Sequence, residues 1–106
     1  MDSRASTSEG LEGYRLSING RRLTPGRVNE LELGEENRIT LLPLKGESVR
    51  ASLYIDGVEV IDRGRPYENP EAVEWRWRPD DPTGIHRLTL KIEGGGEYLF
   101  EIYGRR

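Results

Sequence analysis

Residues 85–93, with the sequence IHRLTLKIE, decide the fold of this chain. Apolar side chains recur there at every second position, and charged or hydroxyl side chains fill most of the positions between them. This period of two is typical of a β-strand that buries one face. Three glycines at 94–96 predict a tight turn, after which Tyr98, Phe100 and Ile102 repeat the alternation in a returning strand.

Turn signals divide the rest of the chain into further short strands. The pairs Asn19-Gly20 and Asp56-Gly57 suit the two positive-φ positions of a type I′ turn, so each pair predicts a hairpin. Residues 62–70 show no periodicity and are rich in Arg, Gly, Pro and Asn, which predicts the longest irregular loop. No window carries the i, i+3, i+4, i+7 apolar stripe of a packed helix. The pattern therefore predicts an all-β, antiparallel sandwich.

The composition fits one domain with a thin core. Of the 106 residues 34% are hydrophobic, and a chain of this size buries enough surface for a single core. We expect residues 13–106 to form that domain and residues 1–12, which are mostly small or polar, to form a flexible leader. Because the chain has no cysteine, disulfides, thiolate metal sites and cysteine nucleophiles are excluded.

Charge and hydropathy narrow the classes of partner. The net charge is −3, with 16 basic and 19 acidic side chains interspersed, so nucleic acid binding is not expected. No apolar segment approaches the length of a membrane span, and the amino terminus lacks the apolar core of a signal peptide, so membrane insertion is not expected either. The compartment stays open: the cytoplasm for a complete chain, the envelope or exterior for a domain excised from a longer protein.

The second half of the chain carries a longer pattern. It reads Trp75-x-Trp77-x-Pro79-Asp80-Asp81-x-x-Gly84-x-His86-x-Leu88-x-Leu90, followed by the glycine turn and Tyr98-x-Phe100-x-Ile102. This string, from Trp75 to Tyr103, resembles the carboxy-terminal half of bacterial immunoglobulin-like domains. The resemblance implies an antiparallel immunoglobulin-like β-sandwich of about seven to nine short strands. It implies no particular activity, because unrelated functions share such folds.

A structural role is predicted for His86. It stands where such domains place a corner tyrosine, whose side chain bonds the backbone of the preceding corner, and a ring nitrogen can make the same bond. The alternative is a catalytic or metal-binding histidine, but the chain has no second histidine to assist it. Its neighbours Gly84 and Leu88 lie on the same core-facing strand, so we assign structural roles to Gly84, His86 and the core aromatic Phe100.

Two tryptophans share one face of the strand at 72–78. If that face is inward, Trp75 and Trp77 fill the core, and if it is outward, the two rings form a stacking platform for sugars or bases. The opposite face carries Glu74, Arg76 and Arg78, whose burial would be costly. Core packing is therefore the favoured interpretation.

Basic and aromatic side chains supply the candidate binding residues. They lie in the 62–70 loop and on the predicted outer faces of two strands, and solvated Arg–Glu pairs across strands explain most of them without a ligand. The candidates are Arg63, Arg65, Tyr67, Arg76, Arg78 and Arg87.

These observations lead to two functional hypotheses. The first is a non-catalytic immunoglobulin-like accessory domain of a larger bacterial protein or assembly, acting as a spacer or binding a protein partner or neighbouring domain. The second is a carbohydrate-binding module that uses exposed aromatic residues. An edge-strand homodimer is compatible with either. We expect no enzyme, cofactor or metal site, because no activated nucleophile or ligand cluster is evident.

Overall fold

The computed structural model describes residues 11–105 and contains no helix within that range. Ten strands follow one another within residues 11–105. They are β1 (Tyr14–Ile18), β2 (Arg21–Arg22), β3 (Val28–Glu32), β4 (Asn37–Pro43), β5 (Ala51–Ile55), β6 (Val58–Glu59), β7 (Arg63–Gly64), β8 (Val73–Trp77), β9 (Gly84–Ile92) and β10 (Gly96–Arg105). The predicted all-β class is confirmed.

The strands form two five-stranded sheets in a sandwich-like arrangement. The first sheet has the order β2-β1-β4-β8-β7, and the second has the order β3-β10-β9-β5-β6. Two expectations need correction. The described residues form ten strands where the sequence predicts about seven to nine, and three of the ten are only two residues long. The second sheet is also not purely antiparallel, since β3 runs parallel to β10 with Val28 beside Glu101.

Period-two alternation builds the core from both sheets. Inward residues of β9 and β10 are buried while most of their neighbours face solvent, as the sequence of residues 85–93 predicts. The largest fully buried side chains are Trp75 from the first sheet and Phe100 from the second. Leu11, which the sequence places in the leader, packs against this core. Residues 1–10 of the predicted leader lie outside the described residues.

Both predicted hairpin turns have the expected backbone. Asn19 and Gly20 have φ values of 51° and 85°, and Asp56 and Gly57 have 51° and 83°, as a type I′ turn requires. The predicted loop at 62–70 is interrupted by β7, which pairs with β8 and makes the first sheet one strand wider than the loop prediction allowed.

Two glycines meet at the corner before β9. Gly84, with φ +87°, lies opposite Gly104 in the β9–β10 pair. A Cβ at Gly104 would lie 1.9 Å from the Pro82 carbonyl oxygen, so any side chain there would displace the corner. The corner therefore packs directly on the backbone of β10, and this contact fixes the end of the sandwich that holds His86.

Candidate functional site

Arg63 and Arg65 bond the main chain rather than acidic side chains. Arg65 donates through Nη1 to the carbonyls of residues 70–72 at 3.0–3.2 Å and through Nη2 to the Val49 carbonyl at 3.0 Å. Arg63 donates through Nη1 to the Ala51 carbonyl. Both side chains line an open cleft of about 690 Å³ between the β5 edge and β7.

These bonds cap the free edge of β5. The carbonyls of Val49 and Ala51 face away from β9, and Val60 donates its N–H to the next carbonyl along that edge, Leu53. Unpaired edge groups attract other strands, and natural sheets commonly cover or charge them. Arg63 and Arg65 therefore protect one edge of the second sheet, which explains both residues without a ligand.

Replacing Arg65 should loosen the segment that it holds. We expect Arg65→Ala to raise hydrogen exchange in residues 66–72 and to lower the free energy of unfolding by about 1–2 kcal/mol, since charged hydrogen bonds to partly exposed carbonyls are lost. Exchange measured by mass spectrometry reads the segment directly. Arg50→Ala, in the same cleft, is the matched control and should leave that exchange unchanged. Equal protection in the Arg65→Ala protein would contradict the capping role.

The other predicted binding residues lie apart from that cleft. Arg78 pairs with Asp62 at 3.1 Å and with Glu36 at 3.3 Å, and Arg76 lies 3.9 Å from Glu36. Both belong to the first sheet or its end. Arg87 lies on the second sheet and pairs with Glu101 at 3.5 Å, and Tyr67 is 97% exposed in the loop after β7. The six candidates therefore do not form one site. They fall into four groups, which are Arg63 with Arg65, Arg76 with Arg78, Arg87 alone and Tyr67 alone.

His86 is buried where three segments meet. Its Nδ1 lies 2.8 Å from Asp56 Oδ2, in the β5–β6 turn, and its Nε2 lies 3.0 Å from the Asp81 carbonyl oxygen, in the corner before β9. Trp77 contacts the imidazole edge to face, with ring centroids 5.0 Å apart. Both nitrogens face oxygen acceptors, so both contacts are hydrogen bonds only when the ring carries two protons.

Asp56 supplies the carboxylate that contacts Nδ1 of His86. Burial would raise the pKa of its carboxyl, but the hydrogen bond from the Arg87 backbone N–H at 3.0 Å and the bond and charge of His86 outweigh burial. The pKa of Asp56 consequently lies below its ordinary value. The ionised carboxylate therefore links the β5–β6 turn to the start of β9.

The tryptophans do not form an exposed pair. Trp75 is fully buried, and its indole Nε1 has no hydrogen-bond partner. Trp77 is half-buried and packs against the core and against His86. A stacking platform built from both rings, as the carbohydrate-binding hypothesis requires, is therefore not formed.

The outer face of the second sheet collects exposed apolar side chains. Its ion pairs, Arg87–Glu101 and Lys91–Glu97 (3.6 Å), alternate with apolar groups. Four of the eight large hydrophobic side chains that are exposed among residues 11–105 belong to its outward positions, which makes this face the most apolar exposed surface of either sheet. They are Val28, Ile85, Leu99 and Tyr103.

Sequence reasoning missed two features of these surfaces. The sequence identifies Asp56 only as a turn residue, and nothing in a type I′ turn signal distinguishes an aspartate that also binds a histidine thirty residues away. Leu99 did carry a signal, because it is an apolar residue at a position where the alternation calls for a polar one.

Comparisons with protein-family models, with curated proteins and with solved structures found no match. Within residues 11–105 no three acidic or histidine side chains are grouped so as to hold a metal ion. No helix in that part of the chain is long and apolar enough to cross a membrane.

Proposed function

We propose that this protein is a non-catalytic immunoglobulin-like module that binds a protein partner, or a neighbouring domain of a larger bacterial protein, through the outer face of its second sheet. The observation that carries the proposal is the cluster of exposed apolar side chains on that face. The only histidine has both ring nitrogens engaged with Asp56 and Asp81, which supports a non-catalytic role.

The strand order supports the immunoglobulin-like assignment. Immunoglobulin sandwiches place strands A, B, E and D in one sheet and G, F and C in the other, and variable-type domains add C′. The order β1-β4-β8-β7 corresponds to A-B-E-D, and the order β10-β9-β5-β6 corresponds to G-F-C-C′. His86 then lies near the start of strand F, the strand that carries the corner tyrosine in such domains.

The chemistry of the face indicates the kind of partner. Ile85 and Tyr103 are cross-strand neighbours in the β9–β10 register, and Val28 lies beside Glu101 on the adjoining strand. Apolar side chains thus surround the Arg87–Glu101 ion pair on this face. A mixture of apolar groups with arginine and with a tyrosine that can hydrogen-bond is typical of protein interfaces. The matching partner surface is apolar and also offers hydrogen-bond acceptors for the tyrosine hydroxyl.

Photo-crosslinking in the source organism tests this proposal. A photoreactive amino acid at Ile85 should give a discrete adduct with another protein, and Tyr103→Glu in the same chain should abolish it. The same probe at Arg15, on the outer face of the first sheet, is the control and should give no such adduct. Equal adducts from both probes would overturn the proposal. So would a probe at Ile85 that gives neither an adduct with another protein nor a crosslink to a neighbouring domain of the same chain. An adduct with the mass of two copies would also count against it.

A further inference from the structure

We propose that two copies of this chain pair edge to edge through residues 96–100 of β10, as an antiparallel extension of the second sheet. This inference does not depend on the proposed partner face, because it uses the backbone edge rather than the outer side chains at Ile85 and Tyr103. We call residues 96–100 the open window of β10.

The open window has a strand on one side only. On that side β9 pairs with Gly96 to Gly104, which is all of β10 except Arg105. On the other side β3 pairs only with residues 101–105, and no strand among the described residues lies beside residues 96–100. An unpaired strand edge is a template for adding another strand.

The backbone direction shows which groups the window offers. The Arg87 carbonyl accepts from the Asp56 N–H, so odd-numbered residues of β9 direct their main chain towards β5 and even-numbered ones towards β10. Each even residue of β9 lies opposite an even residue of β10. The main chains of Glu97 and Leu99 therefore face away from β9. The Glu101 carbonyl, which accepts from Asn29 on β3, has the same orientation.

The two edges of the second sheet differ in whether their main-chain groups are hydrogen-bonded. Along β5, the outward carbonyls of Val49, Ala51 and Leu53 are bonded by Arg65, Arg63 and the Val60 N–H. Along the open window, no described residue donates to or accepts from the outward groups of Glu97 and Leu99. One edge is thus capped by arginines, and the other presents two N–H and two C=O groups in the spacing of an antiparallel partner.

Only one register of a second copy satisfies these groups. A two-fold axis at Tyr98 places Glu97 opposite Leu99 of the second copy and Leu99 opposite Glu97, so that outward groups meet outward groups. An axis at Leu99 would set Glu97 against Glu101, which is like-charged and already covered by β3. An axis at Glu97 would set the two Glu97 carboxylates against each other. An axis between Tyr98 and Leu99 would place residues whose main-chain groups face away from β9 opposite residues whose main-chain groups already bond β9.

The length and side chains of the window fit that register. The window lies between the 94–96 turn and the part of β10 that pairs with β3. Gly26 and Arg27, which precede β3, line a small cavity with Leu99 and Phe100 at that end of the window. Phe100 would lie opposite Gly96 of the second copy, which brings no side chain to the place that Gly26 and Arg27 approach. Tyr98 would lie opposite Tyr98 of the second copy, an aromatic pair of the kind that stabilises sheets. No pair of like charges is opposed.

Sedimentation equilibrium on the full chain tests the pairing. We expect the mean mass to rise towards twice the monomer value with increasing concentration, and the variant Leu99→Pro to remove the rise. Proline at this position deletes an N–H that faces the second copy and leaves every β9 bond intact, so the variant should still fold. A wild-type chain that stays monomeric, as it would if the window were filled from within the same chain, overturns the proposal. A dimer that survives Leu99→Pro overturns it as well.

An introduced cysteine tests the register independently. Because the chain has no cysteine, Tyr98→Cys supplies one thiol per copy, at a non-hydrogen-bonded position where opposed Cα atoms lie about 4.5 Å apart, within disulfide range. Mild oxidation should then give covalent dimers several times faster than the control Tyr103→Cys, which lies beside β3. Equal rates in the two variants would overturn the Tyr98-centred pairing, even in a protein that dimerises.

Discussion

Trp75→Ala is expected to lower the free energy of unfolding by about 3–5 kcal/mol, the range found when a fully buried large aromatic side chain is removed. Trp75 is the largest side chain with no exposure, and it lies in the core between the two sheets. A domain of this size has a total stability of about 5–15 kcal/mol. The variant should therefore be close to the limit of folding at 25 °C. Urea unfolding followed by circular dichroism measures the difference.

Trp75→Phe separates ring packing from the polar group of the indole. Nε1 of Trp75 is buried without a partner, and such a group costs about 1–3 kcal/mol when its water bonds are not replaced. Phenylalanine removes that group and keeps most of the ring, so we expect a loss of only about 1–2 kcal/mol. A loss as large as that of the alanine variant would show that the indole N–H is bonded. A Trp75→Ala protein with unchanged stability would contradict the burial itself.

The sequence predicts those parts of the fold that depend on neighbouring residues. Alternation in 85–93 and the glycine turn define the β9–β10 pair, because a two-residue period and a short turn leave only one way to pack. The parallel β3–β10 pair escapes prediction, since β3 has the same alternation in either direction and its partner lies about seventy residues away. The two-residue β7 escapes prediction too. Arg63 pairs with Trp75 because β8 lies beside it, and the side chains of β7 carry no strand pattern of their own.

The candidate site is less predictable because its contacts also join residues that are distant in the sequence. Arginines in a loop suggest an anionic ligand, yet Arg63 and Arg65 bind main-chain carbonyls, which carry no signature in the sequence. A corner contact for His86 is what the resemblance over Trp75 to Tyr103 implies, and His86 Nε2 lies 3.0 Å from the Asp81 carbonyl oxygen. Its second partner, Asp56, is not foreseeable, because the contact depends on how β5 lies against β9.

Asp56→Ala is expected to destabilise the protein at neutral pH by about 2 kcal/mol. It removes a charged hydrogen bond to the Arg87 N–H and the contact with His86. Each contact contributes less to the free energy of unfolding than a fully buried one would, because the carboxylate is half-exposed. The His86 ring would then lose the acceptor at Nδ1 in a buried position. Asp80→Ala changes a nearby exposed carboxylate and serves as the matched control, with an expected change within about 0.5 kcal/mol.

Asp56 should also make part of the free energy of unfolding depend on pH. The pKa of Asp56 is lower in the folded chain than its ordinary value. Its contribution to the free energy of unfolding is therefore complete at a pH above the ordinary pKa of aspartate, and it is lost as the pH falls through the pKa of the folded state. The difference in unfolding free energy between wild type and Asp56→Asn should therefore shrink as the solution is acidified from pH 6 to about pH 3. A difference that stays constant over this range would mean that shape, rather than charge, makes the contact.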